Sequence, residues 1–377
     1  MLDEKCSAVR NRNSKCRLCI DACPGPGVIT IMNNHFFLDF DKCVGCGACT
    51  TVCPNEALVS LDPMDADLAA QVVSGYLFQT ENAPEPAEAV IACARIASKN
   101  LADPRTYAEV PCLCRVEESL LVSLAARGVN WITLVDGNCE TCKYRSTQSV
   151  TDMVVDTAND LLELCDAPAR VERVSEFPDV CQVRDERSLY ASDRRGFFSL
   201  ARQDAKEAAL VAAKRALSIE DVKLPILERI RVEGGKMPQF AATRRNNTVD
   251  ALDKLGAPLD AAALGTHLWG RVDIDIEKCN ACNVCTVFCP TGALRKAADE
   301  LYPELQLDPE HPDELTKPDL VLEFDAATCT NCGLCLDACF RHALTLTSEA
   351  RPSELLDPEP RSFNLFKKPE KALFGAR

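Results

Sequence analysis

Four cysteines lie close together in the segment that ends at Pro54, and their spacing is Cys-x2-Cys-x2-Cys-x3-Cys-Pro. They are Cys43, Cys46, Cys49 and Cys53. Three thiolates two residues apart on one tight loop can bind three corners of a single iron–sulfur cube, and the fourth, beside a proline, ligates a second cube. A zinc site, which is the alternative, prefers two pairs of ligands separated by a longer spacer. The segment therefore predicts an iron–sulfur site.

The composition is consistent with many such sites, because the 377-residue chain has 23 cysteines and a formal net charge of −15. This length excludes a disulfide-stapled miniprotein and suggests two or three domains. The N-terminal residues lack the apolar run of a signal peptide, and no stretch approaches the roughly 18 apolar residues of a membrane span. We therefore expect a cytoplasmic protein whose cysteines bind metal, without a membrane span, and its acidity argues against nucleic-acid binding.

Three more motifs of this kind occur in the sequence. Two are complete and lie towards the other end of the chain, and they consist of Cys279, Cys282, Cys285 and Cys289, and of Cys329, Cys332, Cys335 and Cys339. The third is incomplete, because Cys16, Cys19 and Cys23 have the spacing of its last three cysteines but Asn13 stands where the first belongs. Cys6 is the only cysteine further upstream.

Residues 6–60 resemble the bacterial two-cluster ferredoxins, and residues 273–350 repeat the pattern. The resemblance implies two [4Fe-4S] clusters in each module, each held by three cysteines of one motif and the last cysteine of the other. The implied ligand sets are Cys43, Cys46, Cys49 and Cys23; Cys16, Cys19, Cys53 and a fourth ligand; Cys279, Cys282, Cys285 and Cys339; and Cys329, Cys332, Cys335 and Cys289. We expect Cys6 to be the missing fourth ligand, with a three-iron cluster or a non-cysteine ligand as the alternatives.

The segment between these modules predicts a small α/β domain over residues 87–175. Apolar runs predict strands at 89–93, 107–112, 131–135 and 169–174, and helices at 117–127 and 146–164 imply a parallel sheet. Four cysteines lie at the ends of the first three strands: Cys93 and Cys112 are the last residues of the first two, and Cys139 and Cys142 come just after the third. Because sites gather beyond the carboxyl ends of parallel strands, we expect these cysteines to converge at one edge of the sheet.

These cysteines and the residues around them, 90–93, 111–116 and 136–144, resemble the iron–sulfur (delta) subunit of hydrogenases that serve heterodisulfide reductase. That family binds a [2Fe-2S] cluster, which the resemblance implies here at Cys93, Cys112, Cys139 and Cys142. Cys114 competes with Cys112, because it stands where the family usually has glycine. Structural zinc and a thiol–disulfide pair at Cys139 and Cys142 are the alternatives.

The fold class predicted for the whole chain is a pair of α+β ferredoxin-like modules flanking the small α/β parallel-sheet domain, with a helical linker. The first module covers 1–62 and contains a hairpin that turns at Asn33 and Asn34. The other expected segments are a linker at 63–86, a mainly helical linker region at 176–272, the second module at 273–350 and an extended tail at 351–377. Four arginines, Arg229, Arg231, Arg244 and Arg245, form a solvated face, a docking strip, or salt bridges to the cluster modules.

The predicted function is electron transfer without catalysis on this chain. Clusters saturated by cysteine have no open site for substrate, and the sequence has no nucleotide-binding fingerprint. We predict a polyferredoxin subunit with four [4Fe-4S] clusters and one [2Fe-2S] cluster, which relays single electrons between redox partner proteins of a multi-subunit oxidoreductase complex. Those partners would be of flavoprotein, hydrogenase or reductase type. The alternative is a thiol–disulfide reductase in which Cys139 and Cys142 react, supplied with electrons by the clusters.

Overall fold

The computed structural model describes residues 1–83, 86–182, 237–298, 306–307, 315–357 and 359–368. The basic residues Arg229 and Arg231 and most of the predicted helical linker region lie outside these ranges. Within them, no helix combines the length and the apolar composition needed to cross a membrane.

The N-terminal module is built from short elements and has a small core. They are helices α1 (Ser7–Arg10), α2 (Leu18–Asp21) and α3 (Ala48–Thr51), and strands β1 (Ile29–Met32) and β2 (His35–Leu38). The two strands form the predicted hairpin, in which Met32 pairs with His35 and both turn residues have positive φ. The larger apolar side chains buried here are only Val9, Val28, Ile29 and Leu58 among the described residues, so the module has little apolar surface with which to fold.

The middle domain has the predicted four-stranded parallel sheet. Its strands are β3 (Ala89–Cys93), β4 (Ala108–Val110), β5 (Trp131–Val135) and β6 (Arg170–Val174), in the order β4-β3-β5-β6. The helices that cover it are α4 (Asp65–Asn82), α5 (Ala94–Ala97), α6 (Glu118–Ala125) and α7 (Gln148–Leu164). All five residues of β3 are buried, as expected for a central strand with both faces covered.

Helix α4 belongs to this packing although it lies in the segment expected to be a linker. Its residues Leu68 and Val72 are buried in the same apolar cluster as the sheet. Gly75 lies against the backbone of Thr106, where an added Cβ would be 3.0 Å from the carbonyl carbon and oxygen. The helix therefore joins the N-terminal module to the sheet as a packed element.

The C-terminal module follows helix α8 (Thr243–Leu255) and consists of small antiparallel sheets. Its strands are β7 (Leu264–Gly265), β8 (Arg271–Ile274), β9 (Leu294–Lys296), β10 (Gln306–Leu307), β11 (Leu315–Thr316), β12 (Leu320–Phe324), β13 (Leu344–Thr347), β14 (Glu349–Ala350) and β15 (Arg361–Leu365). Its helices are α9 (Val284–Phe288), α10 (Leu334–Ala338) and α11 (Pro352–Leu356). The predicted tail is extended at β15, which pairs with β12 along its whole length and so packs on this module.

Candidate metal centres

A cavity in the N-terminal module is lined by four cysteines, Cys6, Cys16, Cys19 and Cys53, which we call the inner N-terminal set. The other side chains around it are mostly apolar, among them Leu18, Ile31, Phe36 and Leu58. Burial raises the pKa of Cys19, and the negative charges of Cys53, Cys16 and Cys6 raise it further, as expected when the four sulfur atoms lie close together.

Cys6 reaches this cavity because it stands directly before helix α1. Its sulfur accepts hydrogen bonds from the backbone amides of Val9 and Ala8, which partly offset the rise in its pKa caused by burial. The structure therefore places Cys6 where the incomplete motif lacks a thiolate, so that its position fits the predicted fourth ligand.

The other cysteines of this module, Cys23, Cys43, Cys46 and Cys49, form the outer N-terminal set. Burial raises the pKa of Cys49 to about 12, together with the charges of Cys46, Cys43 and Cys23. Cys43 is exposed, so this set lies close to the protein surface. The grouping is the crossed one, since Cys23 comes from the first motif and the other three from the second.

The C-terminal module has the same crossed arrangement. Burial raises the pKa of Cys285 to about 12, and the next contributions come from the other members of the outer C-terminal set, which are Cys279, Cys282 and Cys339. Burial also raises the pKa of Cys335, followed by the charges of the other members of the inner C-terminal set, which are Cys332, Cys329 and Cys289.

The three complete motifs share a backbone conformation that gathers their thiolates. In each, the residues on either side of the second cysteine have positive φ, and they are Gly45 and Gly47, Ala281 and Asn283, and Asn331 and Gly333. A backbone amide also donates to the last cysteine of each motif, namely Ala57 to Cys53 at 3.3 Å, Leu294 to Cys289 at 3.4 Å and Ala343 to Cys339 at 3.4 Å. Such N–H groups favour negative charge on sulfur.

The middle domain brings together the middle set, which consists of Cys93, Cys112, Cys139 and Cys142. Burial raises the pKa of Cys93, and the charges of Cys112 and Cys142 contribute to the rise. Burial likewise raises the pKa of Cys139 to about 12, with Asp136 and Cys112 as further causes. The prediction of convergence beyond the carboxyl ends of β3, β4 and β5 agrees with this geometry.

Cys114 occupies a different place, between the middle set and the outer N-terminal set. It is fully buried, and its sulfur lies 3.3 Å from the carbonyl oxygen of Cys46. Its single thiol hydrogen lies between the sulfur atoms of Cys112 and Cys46, and this shared donor lowers the pKa of Cys112 to about 6 and that of Cys46 to about 7. The structure therefore places Cys112 with the other middle cysteines, and Cys114 as a thiol donor between two sets.

Polar contacts join the two end modules along a seam, which we define by Ser7, Asn55 and Thr330. Asn55 is buried, donates to the Ser7 hydroxyl at 2.9 Å and accepts from the Thr330 hydroxyl at 2.8 Å. Ser7 in turn forms a hydrogen bond with the Cys332 sulfur. The inner N-terminal and inner C-terminal sets therefore face each other, and Cys332 contributes to the raised pKa of Cys16, after burial and the charges of Cys53 and Cys6.

A buried arginine also ties helix α8 to the N-terminal module. Arg244 donates to the carbonyl of Thr50 at 2.8 Å and forms an ion pair with Asp65 at 3.1 Å. Asp65 also pairs with Arg115, which is 1% exposed. The side chain of Arg244 is buried rather than solvated, and its ion pair is with Asp65 of helix α4, while its contact with the N-terminal module is the hydrogen bond to Thr50.

The donor set fits iron–sulfur clusters, because every member of the five sets is a cysteine and the charges of neighbouring cysteines help to raise the pKa values of Cys19, Cys49, Cys285 and Cys335. The positive iron core of a cluster offsets that repulsion and holds the thiolates deprotonated. Within the described ranges, no group of three or more His, Cys, Asp or Glu side chains is spaced to hold a single metal ion. A cluster inserts its own iron and sulfide atoms between the thiolates and so takes ligands that stand further apart.

Comparison with protein families identifies iron–sulfur domains at both ends of the chain. Residues 4–30 and residues 36–59 each match a 4Fe-4S binding domain, and residues 267–344 match a 4Fe-4S dicluster domain. No curated protein and no solved structure matches the chain. The chain therefore contains several [4Fe-4S]-binding domains of the ferredoxin type, which support an iron–sulfur electron-transfer protein. The resemblance of the middle domain to a delta subunit stays a prediction.

Proposed function

We propose that this protein is a subunit of an oxidoreductase complex that relays single electrons between two redox partner proteins through four [4Fe-4S] clusters and one [2Fe-2S] cluster. The observation that carries the proposal is that five sets of four cysteines form a continuous series. In that series each set lies next to the following one.

The order of the series follows from contacts between the sets. Cys114 links the middle set to the outer N-terminal set, because its thiol lies within hydrogen-bonding reach of both Cys112 and Cys46 and can donate to either one. The two N-terminal sets are close enough for the charge of Cys49 to raise the pKa of Cys19, after burial and the charges of its own set. The inner sets meet at the seam, and Cys285 acts on Cys335 in the same way within the C-terminal module.

Both ends of the series reach the protein surface, which is where partner proteins would exchange electrons. At one end, Cys282 of the outer C-terminal set is exposed. At the other end, the turn that holds Cys139 and Cys142 also carries the exposed residues Glu140 and Lys143. The cysteines of the inner sets are less accessible, since none of them is exposed and Cys289 is buried.

Anaerobic analysis of iron and sulfide tests the proposal on the whole protein. Four four-iron clusters and one two-iron cluster predict about 18 iron per chain, with absorption near 400 nm that bleaches on addition of dithionite. About 16 iron without a two-iron spin-resonance signal would remove the middle cluster from the proposal. A colourless protein that contains zinc would contradict the proposal altogether.

Two neighbouring cysteines provide a matched test of the middle site. Cys112→Ser is expected to abolish the two-iron spin-resonance signal, because it removes a thiolate from the middle set. Cys114→Ser is expected to keep that signal and the full iron content, because its hydroxyl can still donate to one of the two neighbouring sulfur atoms. Loss of the signal in the Cys114 variant alone would reverse this assignment.

The alternative function gives a different result for Cys142→Ser. If Cys139 and Cys142 are a redox-active dithiol, this variant keeps its iron content and loses a titratable thiol pair. If Cys142 is a cluster ligand, the variant loses the two-iron signal.

A further inference from the structure

The seam between the end modules contains a buried arginine that is only partly hydrogen-bonded. Arg10 is 2% exposed, and its Nη1 donates to the carbonyl oxygens of Glu4 at 2.6 Å and Pro238 at 2.8 Å. Its Nε and Nη2 are buried and have no hydrogen-bond partner among the described residues. A buried guanidinium with two unpaired nitrogen atoms is costly unless a negative charge lies close by.

The negative charges that act on Arg10 come first from two cysteines of the C-terminal module and then from the carboxylate of Glu4. Burial lowers the pKa of Arg10, and the attraction of Cys289, followed by that of Cys332, opposes this effect. Both cysteines belong to the inner C-terminal set, although Arg10 is the last residue of α1 in the N-terminal module. Ser7, three residues earlier on the same helix, forms a hydrogen bond with the Cys332 sulfur, and Arg10 itself donates to the carbonyl of Pro238. The guanidinium therefore lies at the seam, on the side of the predicted cluster of the other module.

A fixed positive charge next to a cluster favours its reduced form, because reduction adds one negative charge to the site. The interaction is strong where both groups are buried, since little water is present to screen it. Hydrogen bonds and local charge are among the factors that set the potential of an iron–sulfur cluster. The outer C-terminal set is not among the groups that act on Arg10.

On the basis of the proposed function, we propose that Arg10 sets the reduction potential of the cluster held by Cys289, Cys329, Cys332 and Cys335. Its guanidinium faces that cluster and holds its potential above that of the cluster in the outer C-terminal set. Electrons entering from the C-terminal end then move towards the seam between the two modules. Arg10 acts here as a tuning residue and is not a ligand.

A potentiometric titration followed by spin resonance tests the role of Arg10 on the whole, iron-loaded protein. The component that Cys289→Ser alters identifies the cluster concerned. Arg10→Gln is expected to lower its equilibrium constant for reduction at least tenfold, which is about 59 mV for a one-electron couple. Arg10→Lys keeps the charge and is expected to restore most of the potential.

Arg12→Gln is the matched control. Arg12 lies two residues after Arg10 and carries the same charge, but its side chain is exposed. Its effect on the same potential is expected to be small, since solvent screens the charge. An Arg10→Gln protein with full iron content and an unchanged potential would overturn the inference and leave the proposed function intact. A wild-type protein without clusters would instead refute the proposed function.

Two further measurements cover the case in which Arg10→Gln fails to fold. Arg10→Met fills similar space without donors that need partners, and the same tenfold decrease is expected from it. In the wild-type protein itself, the inner C-terminal cluster is expected to be reduced at a higher potential than the outer one. The reverse order would overturn the inference without any variant.

Discussion

Removal of iron from the whole chain is expected to unfold both end modules and to leave the parallel sheet of the middle domain folded. The N-terminal module buries few large apolar side chains, and the four cysteines of the inner set line the cavity at its centre. In the C-terminal module, Cys285, Cys289 and Cys339 are themselves part of the buried core. Binding of the clusters therefore supplies much of the folding free energy of these modules.

The middle domain has a different source of stability. Its core joins all four strands of the sheet to helices α4, α6 and α7, through residues such as Leu68, Ile91, Leu121, Leu134 and Leu161. Of the middle set, only Cys93 belongs to that core, and the other members lie beyond the strand ends. We therefore expect this domain to lose the order of its 139–142 turn, but not its sheet, when iron is removed.

Hydrogen exchange with and without an iron chelator, under anaerobic conditions, measures both regions in one sample. Amides of the β1–β2 hairpin are expected to lose protection by at least about a thousandfold, which corresponds to roughly 4 kcal/mol. Amides of β3 and β5 are the internal control and are expected to change by less than about tenfold. A hairpin that keeps its protection without iron would show that the end modules fold independently of metal.

The elements that the sequence predicted are those whose residue pattern lies within one short segment of the chain. Alternating and apolar runs located all four strands of the middle sheet, and the Asn33-Asn34 pair located the hairpin turn. The placement of Cys93, Cys112 and Cys139 after successive strands also predicted their convergence, because strand direction in a parallel sheet fixes which edge they share. In these cases a short stretch of sequence contains the information that determines the structure.

No pattern in the sequence predicted the contacts between the modules. Ser7, Asn55 and Thr330 are common polar residues, and only their burial together in the folded chain makes them a seam. The role of Arg10 could not be predicted either, since nothing near it in the sequence shows that its side chain is buried against the other module. Cys114 could be identified as unusual, but its role depends on the loop at Cys46, which comes from a different domain.

The residues after two of the motifs show a further limit of local patterns. Leu294 and Leu344 begin strands β9 and β13 a few residues after the last cysteines of the two C-terminal motifs. These strands depend on distant partners, β12 and β8, for their hydrogen bonds. A few residues cannot indicate a pairing of this kind.

Gly47→Ala is expected to disrupt the junction between the N-terminal module and the middle domain. Gly47 has φ of +86°, and an added Cβ would lie 2.7 Å from Cδ, 2.9 Å from Cβ and 3.2 Å from Cα of Arg115. Left-handed backbone costs an alanine roughly 1–2 kcal/mol, and displacing the buried Arg115 adds a further cost of similar size. We therefore expect a destabilisation of about 2–4 kcal/mol at this junction.

Arg115 cannot move aside easily, because its contacts hold the start of helix α4. Its Nη2 donates to the carbonyl of Pro63 at 3.1 Å and pairs with Asp65. Asp65 also pairs with Arg244, so that a displacement of Arg115 would disturb the contacts of helix α8 as well. The substitution is expected to loosen the loop that carries Cys43, Cys46 and Cys49, and to release the iron of the outer N-terminal set first.

Gly45→Ala is the matched control for this prediction. Gly45 lies two residues earlier in the same loop, has φ of +67° and has open space where a Cβ would stand. Its substitution therefore costs only the backbone term, roughly 1–2 kcal/mol. Iron content and the thermal midpoint, measured anaerobically on both iron-loaded variants, separate the two effects. If the two variants lost iron and stability equally, the close approach of Arg115 would contribute nothing. The strain of the left-handed backbone alone would then explain the losses in both variants.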